Sequence, residues 1–499
     1  MSVGKTQLVV SMLASFASGQ LTHSLKSAPA GVRHAAIIAS TALISCYICG
    51  HVSGFIQIVT LSHFMYYFIV NVKHKFMPSL VMVMCMMWIS YHHWSRMKHD
   101  AQADERMDYT APMMMMVQKL TSFAYNVADG RHISQQIDDH EYQVEHAVDD
   151  SHYPGLLEFF GYVLFTPGFL VGPSIPFAKY RKLMNGTLYS NMQQQQQQQQ
   201  QPVGRIRAAL LMLARAVTCM TIFATISLKL NQQDMLTPWY TSLPLHRRLL
   251  HQWFCGLLHW MGFYLVWSLA EGGCILANLG FTGVERKTKK PIWEGVAVVR
   301  IYGVTFASNM RDLFVHWNIP TNTWLRYYVY ERMSRSSSPS SSALSSSTTT
   351  TNAKPRQSIN ALIATFMVSA AWHGFYPGYY LSFGSFALAI WCMRLSRRYI
   401  RPLTVPSIPA AQPLYSKKWY DIIGTFITSF ASTIFASAFL LLTWSDSIYL
   451  WRVNYFLVHL CCLATIAWLT VVGGARKCRK LQQDRVESIS RAFLKFFPV

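Results

Sequence analysis

The sequence predicts an all-α, polytopic transmembrane protein, and three observations point there. Of 499 residues, 52% are hydrophobic and only 13% are charged, about half the charged share of an ordinary soluble domain. Mean hydropathy is +0.19. Apolar runs close to the ~20 residues that cross a bilayer recur from one end to the other. A single embedded domain over residues 1–499 is therefore expected, not a string of soluble ones.

In chain order, the apolar runs fall at residues 7–21, 33–52, 54–73, 78–95, 207–229, 249–270, 357–373, 379–396, 419–443 and 447–473. The first follows Lys5 and reads as an interfacial or first membrane helix, because no small-residue cleavage site follows it. Residues 96–110 mix Arg96, Lys98, Asp100, Asp104 and Glu105 and suit a loop outside the hydrocarbon. Residues 108–130 have Pro112 near their start and Gly130 at their end, which predicts a helix with start and stop signals. That helix is too polar to face lipid, and its four methionines, Met113 to Met116, read as core filler.

Residues 155–177 are apolar but broken by Pro167, Gly168, Gly172, Pro173 and Pro176. Broken backbone at membrane depth is tolerated only where protein or a water-filled cavity covers it. A kinked or re-entrant element is expected, with Glu158 facing inward, either paired to a cation or used in the site. Counting this element gives about eleven membrane segments.

Three stretches stand apart from the apolar runs. Residues 193–201 are a glutamine run and residues 336–351 a Ser/Thr run, both read as loops. Residues 476–499 form a basic tail, expected in the cytoplasm.

Charge and cysteine usage exclude several classes. Net charge is +22, from 44 Lys and Arg against 22 Asp and Glu. In a membrane protein such an excess reads first as cytoplasmic loops over anionic lipid, and it is compatible with a polyanionic substrate. The basic residues are scattered and match no recognition motif, which argues against nucleic acid as a partner. Most of the ten cysteines lie inside apolar runs, Cys46 and Cys49 included, and read as small apolar residues. The polar stretch 131–152, acidic and histidine-bearing from Asp138 to His152, has no familiar ligand spacing, so a solvated loop is expected and no metal site.

Two short motifs carry candidate chemistry. In Arg311–Arg332, Pro320 interrupts any helix, and Asn318, Thr321 and Asn322 cluster at the break. Tyr327, Tyr328 and Tyr330 mix with Arg326 and Arg332 there, as at a membrane interface. In Ser369–Tyr380, His373 ends an apolar run and is followed by Gly374, Pro377 and Gly378. An imidazole at that depth is costly unless it has a partner or a task. Alone, each motif has a bland reading: a satisfied structural histidine, and an asparagine serving as a cap or turn. Composition and spacing do not decide between the readings.

Trp317-Asn-Ile-Pro-Thr-Asn-Thr-Trp-Leu-Arg-Tyr-Tyr-Val-Tyr330 and Trp372-His-Gly-Phe-Tyr-Pro-Gly-Tyr379 resemble the signature motifs of the membrane-bound O-acyltransferases, in the lysophospholipid acyltransferase branch. Residues 108–130 and 158–173 are also similar to stretches of that branch. The resemblance runs from about residue 100 to residue 400. It implies membrane helices around a catalytic chamber, with acyl-CoA entering from the cytosol and a lysophospholipid from the bilayer. It implies His373 and Asn318 as the catalytic pair and the endoplasmic reticulum as the membrane. The two residues are 55 positions apart, with the Ser/Thr run between them expected to loop out. Ala111 stands where relatives often have glycine.

The residue types suit acyl transfer. A neutral imidazole can take the proton of an attacking hydroxyl, and a desolvated site favours that form. An asparagine amide can donate to the oxygen that gains charge, or orient the base or the lysolipid. Trp317, Trp372 and Tyr376 are candidates to line the substrate site, with Asn322 and Glu158 beside it. Arg326, Arg332 and the basic residues at 286–290 are candidates to meet CoA phosphates. No cofactor is expected, since acyl-CoA is a co-substrate. Membrane lipids are partners, and a homo-oligomer stays open. The alternatives are an enzyme of this family with another acceptor, such as diacylglycerol, a sterol or a protein, and a transporter. A transporter predicts repeated halves, and both motifs occur once.

Overall fold

A computed structural model of the chain describes residues 3–99, 108–132, 141–190, 202–336, 359–404 and 414–496. The glutamine run 193–201 and residues 337–351 of the Ser/Thr run lie outside the described residues, as do 138–140. The described chain is almost wholly helical. Its one sheet is a two-stranded hairpin, Gly283–Val284 against Pro291–Ile292. The basic residues 286–290 form its exposed turn, with Lys289 in the left-handed region at φ 56°.

Among the described residues, five helices are long and apolar enough to cross a membrane: Ala30–Ile48, Val52–Asn71, Arg205–Ile226, Leu245–Leu276 and Lys417–Leu441. Trp444–Val453 and Leu457–Thr470 make a sixth if taken together, bent by 74° at the left-handed residues Tyr455 and Phe456. The sequence count of about eleven also took in Val3–Ser24, Met77–His99 and Pro377–Tyr399, which are long enough but less apolar, and shorter helices such as Ile359–His373 with 15 residues.

The described helices group into two compact units, interleaved along the chain. The first comprises Met1–Thr225, Trp260–Val299 and Asn318–Phe375; the second comprises Ile226–His259, Arg300–Trp317 and Tyr376–Val499.

The first unit is built around the helix Thr110–His132. Met116, Val117, Leu120, Phe123, Ala124 and Val127 on it are fully buried, and so are the polar Gln118, Lys119 and Thr121. A helix encased in protein on every side can carry polar groups that lipid would reject, provided each finds a partner. Gly130 does not stop this helix. A Cβ there would strike the Val148 carbonyl, and the Val148 amide donates to the Asn126 carbonyl at 2.9 Å. The glycine permits a close approach of the following loop.

Several cations spend their charge on helix C-termini, where carbonyls lack intrahelical partners and the dipole favours positive charge. Lys119 Nζ donates to the carbonyls of Tyr162 (3.3 Å) and Val163 (2.9 Å), the end of the helix Leu156–Val163. Arg33 caps Met184, and Arg131 caps Ile69 and Val72 at 3.1 Å each. Arg205 donates to the Leu276 carbonyl. Part of the net positive charge therefore serves packing.

The broken stretch after Leu156–Val163 is covered by protein. Thr166, Pro167 and Gly168 form a buried 3₁₀ turn. Hydroxyls from the first two helices satisfy its freed groups: Ser15 donates to the Thr166 carbonyl (2.8 Å) and Thr41 to the Leu164 carbonyl (2.6 Å). Glu158 is held by Arg181 through two bonds of 2.8 and 3.0 Å.

In the second unit, Pro377–Tyr399 runs antiparallel to Leu414–Leu441, since the Gly378 amide donates to the Leu442 carbonyl at 2.7 Å. It runs parallel to Leu457–Thr470, with Ser385 Oγ 2.9 Å from His459 Nε2. Asn454, beside the 74° bend, donates to Tyr240 Oη and Gln252 Oε1 at 2.9 Å each.

Candidate active site

Asn318 and His373 both belong to the first unit. Pro320 starts a helix, Ile319–Leu325, with its fixed φ at a position that needs no amide donor. Asn318 is the residue before it, with φ 41° and ψ 56°. Asparagine is one of the few side chains that tolerates this left-handed region. Its backbone carbonyl accepts from the Asn322 amide at 3.0 Å, but its side chain makes no bond to the helix end. The bland cap reading therefore accounts for the backbone of Asn318 and leaves its amide group for other use.

His373 is the last residue of the helix Ile359–His373, and Gly374 breaks the chain at φ +128°. The carbonyl of Trp372 accepts from His93 Nε2 at 3.0 Å, which satisfies one of the last carbonyls of the helix and fixes the proton of His93 on Nε2. A Cβ on Gly374 would sit 3.2 Å from the His93 ring. His93 is 5% exposed. It holds the end of the histidine helix, and the sequence did not single it out from its neighbour His92 in an apolar span.

Both motifs dock on the central helix Thr110–His132. Trp372 Nε1 donates to the Met114 carbonyl at 3.0 Å. Thr321 accepts from Gln118 Nε2 at 2.8 Å, and Trp324 Nε1 donates to Thr121 Oγ1 at 3.0 Å. Met114, Gln118 and Thr121 are spaced four and three residues apart, so they share one helix face. The ring centroids of Trp324 and Trp372 lie 5.8 Å apart. Further along, Tyr328 Oη donates to Asn126 Oδ1 (2.8 Å), and Arg332 grips both carboxylate oxygens of Asp129 (2.8 and 2.5 Å).

A second support reaches the residue after Asn318. Glu271 is 3% exposed, and its Oε1 accepts from the amides of Val298 (2.7 Å) and Val299 (3.1 Å). Arg215 Nη2 holds its other oxygen at 2.5 Å. The Val298 carbonyl in turn accepts from the Ile319 amide at 2.8 Å, one residue after Asn318.

The remaining predicted residues fall as follows. Trp372 is buried and anchors the histidine helix through its indole. Asn322 lies in the first turn after Asn318. Arg326 is exposed, 3.1 Å from Glu331 and over the Tyr327 ring. Arg332 and Glu158 carry the ion pairs described above, with Asp129 and Arg181. Trp317 and Tyr376 belong to the second unit, where Trp317 ends the helix Met310–His316 and Tyr376 precedes Pro377–Tyr399. Among the described residues, no three His, Cys, Asp or Glu side chains sit together as a metal site would need.

A family profile and individual relatives match this chain. The profile of the membrane-bound O-acyltransferase family matches residues 55–437. A lysophospholipid acyltransferase of Schizosaccharomyces pombe is 31% identical over 364 residues, 73% of this chain and 67% of that protein. A lysophospholipid acyltransferase of Saccharomyces cerevisiae is 28% identical over 468 residues, 90% of this chain and 71% of that protein. Lysophospholipid acyltransferase 6 of Drosophila melanogaster is 26% identical over 411 residues, 80% of this chain and 52% of that protein. With that profile spanning most of its length, and with both motifs docked on one buried helix, this chain belongs to the membrane-bound O-acyltransferase family.

Proposed function

We propose that this protein moves a fatty acyl group from acyl-CoA to the free glycerol hydroxyl of a lysophospholipid, as a multi-pass enzyme of the endoplasmic reticulum membrane. The observation that carries the proposal is the docking of the Asn318 and His373 segments on one face of Thr110–His132. The names of the three relatives support the choice of acceptor.

In this reading His373 takes the hydroxyl proton as the lysolipid oxygen attacks the thioester carbon. The C–O bond forms, and charge develops on the carbonyl oxygen, to which the Asn318 amide donates. As the C–S bond breaks, its electron pair leaves on sulfur, and the proton on His373 passes to it to give free CoA. No acyl-enzyme, metal or bound cofactor takes part. Exclusion of water protects the thioester from hydrolysis.

The test is acylation in microsomes with labelled acyl-CoA and a panel of acceptors. Wild-type membranes should label the diacyl phospholipid, and His373→Ala should abolish labelling while the protein still accumulates. Undiminished activity in that variant would remove His373 as the base. Label in diacylglycerol, sterol or protein, with none in phospholipid, would overturn the acceptor.

A further inference from the structure

The second unit gathers unpaired cations at one end of its helices. Pro377–Tyr399 ends where Leu414–Leu441 begins, as their antiparallel packing requires, and Leu457–Thr470 ends there too before turning into Gly474–Phe496. Each terminus is basic. The first offers the exposed Arg397 and Arg398, the second the exposed Lys417 and Lys418. The third offers Arg476, Lys477, Arg479 and Lys480 within five residues, all exposed. Contacts tie the termini together: Gln482 Nε2 donates to the Tyr399 carbonyl at 2.9 Å, and Arg479 lies over the Tyr399 ring. Among the described residues, none of these cations has an acidic partner.

The cluster borders a lipid-facing surface. Trp419 follows Lys418 directly, and Ile422, Ile423, Phe426 and Ile427 continue down the same helix as exposed apolar residues. Trp468, also exposed, packs where Gly474 starts the last helix. Exposed tryptophans beside such a surface mark the headgroup level of a bilayer. A ligand that satisfies both halves carries negative charge on a polar head and an apolar tail beside it.

We propose that this end of the second unit is a binding surface for anionic phospholipids of the surrounding leaflet. General enrichment of basic residues in cytoplasmic loops explains a positive sign but not the convergence of three helix ends beside a tryptophan-rimmed apolar face. Clusters of four to eight Lys and Arg next to a membrane helix suit acidic lipid headgroups. The proposal is independent of the acyl acceptor.

The experiment titrates the full chain, purified in a neutral detergent, with dioctanoyl phosphatidylserine and separately with dioctanoyl phosphatidylcholine, reading the change in Tm. The anionic lipid should bind about tenfold or more tighter, and 0.5 M salt, roughly the regime where the Debye length falls to a few Å, should reduce that preference. A variant with Arg397, Arg398, Lys417, Lys418, Lys477 and Lys480 changed to Gln should lose it. Equal affinity of the wild type for the two lipids overturns the proposal, as does an unchanged preference in the variant. If the variant does not fold, Lys417→Arg/Lys418→Arg/Lys477→Arg/Lys480→Arg should keep the preference, and the salt titration of the wild type decides. A preference insensitive to salt overturns the proposal.

Discussion

Gln118 and Thr321 share a 2.8 Å hydrogen bond across 203 positions of sequence. Trp324 meets Thr121 and Arg332 meets Asp129 at the same separation, and Tyr328 meets Asn126 at 202. The segment after Asn318 thus runs parallel to the central helix, nearly residue for residue. Asn318 stands at the head of this ladder, so its position is set by several bonds at once.

The far end of the ladder should be the most sensitive to charge removal. The Asp129 and Arg332 side chains are only 14% and 22% exposed. Asp129→Ala leaves the guanidinium unpaired and should cost about 3 kcal/mol or more. Asp129→Ala/Arg332→Met should recover much of that loss. Thermal unfolding of the detergent-purified variants checks both, and equal losses in the single and double variants would contradict the pairing.

The two tryptophans should be coupled energetically. Trp324→Leu and Trp372→Leu each remove a buried ring and a donated hydrogen bond, at about 2–5 kcal/mol each. Because the rings touch, a double-mutant cycle should give a coupling of about 0.5–1.5 kcal/mol. A coupling of zero would mean that the two motifs are stabilised independently.

Gly374 should not accept a side chain. Its φ of +128° is strained for alanine, and the added Cβ would crowd His93. Gly374→Ala should cost about 1–3 kcal/mol and lower acyl transfer. Adding His93→Ala relieves the crowding but not the backbone strain, and it removes the bond to the Trp372 carbonyl. The double variant should therefore be no more active than Gly374→Ala, and recovery to wild-type turnover would assign the defect to crowding alone.

Much of the fold was readable because membrane helices declare themselves by composition. The polarity of residues 108–130 argues against a lipid-facing span, and the buried helix Thr110–His132 agrees, with Pro112 near its start. Encasement on all sides was not readable, because the partners of Gln118, Lys119 and Thr121 come from residues 43 to 203 positions away. The same distance hid His93, which meets Trp372 across 279 positions. The sequence leaves Glu158 two roles, and its bonds to Arg181 supply the paired one. Pairing of this kind leaves no periodic trace in a single sequence.

Glu271 should act as a positioning residue for Asn318. Its carboxylate fixes the amides of Val298 and Val299, and the Val298 carbonyl fixes the amide of Ile319. Glu271→Gln keeps one acceptor oxygen but loses the charge that holds Arg215 and strengthens both amide bonds. Under the proposed mechanism Asn318 acts when the thioester oxygen gains charge, so its displacement should lower turnover about tenfold with little change in KM. Glu271→Asp keeps the charge on a shorter arm and should be intermediate, whereas Glu271→Ala should fall furthest. Turnover and KM for acyl-CoA, measured in lipid nanodiscs per unit of folded protein, separate this from simple destabilisation. A lower Tm with unchanged turnover would make Glu271 a purely structural residue, and a raised KM with unchanged turnover would move its role to substrate binding.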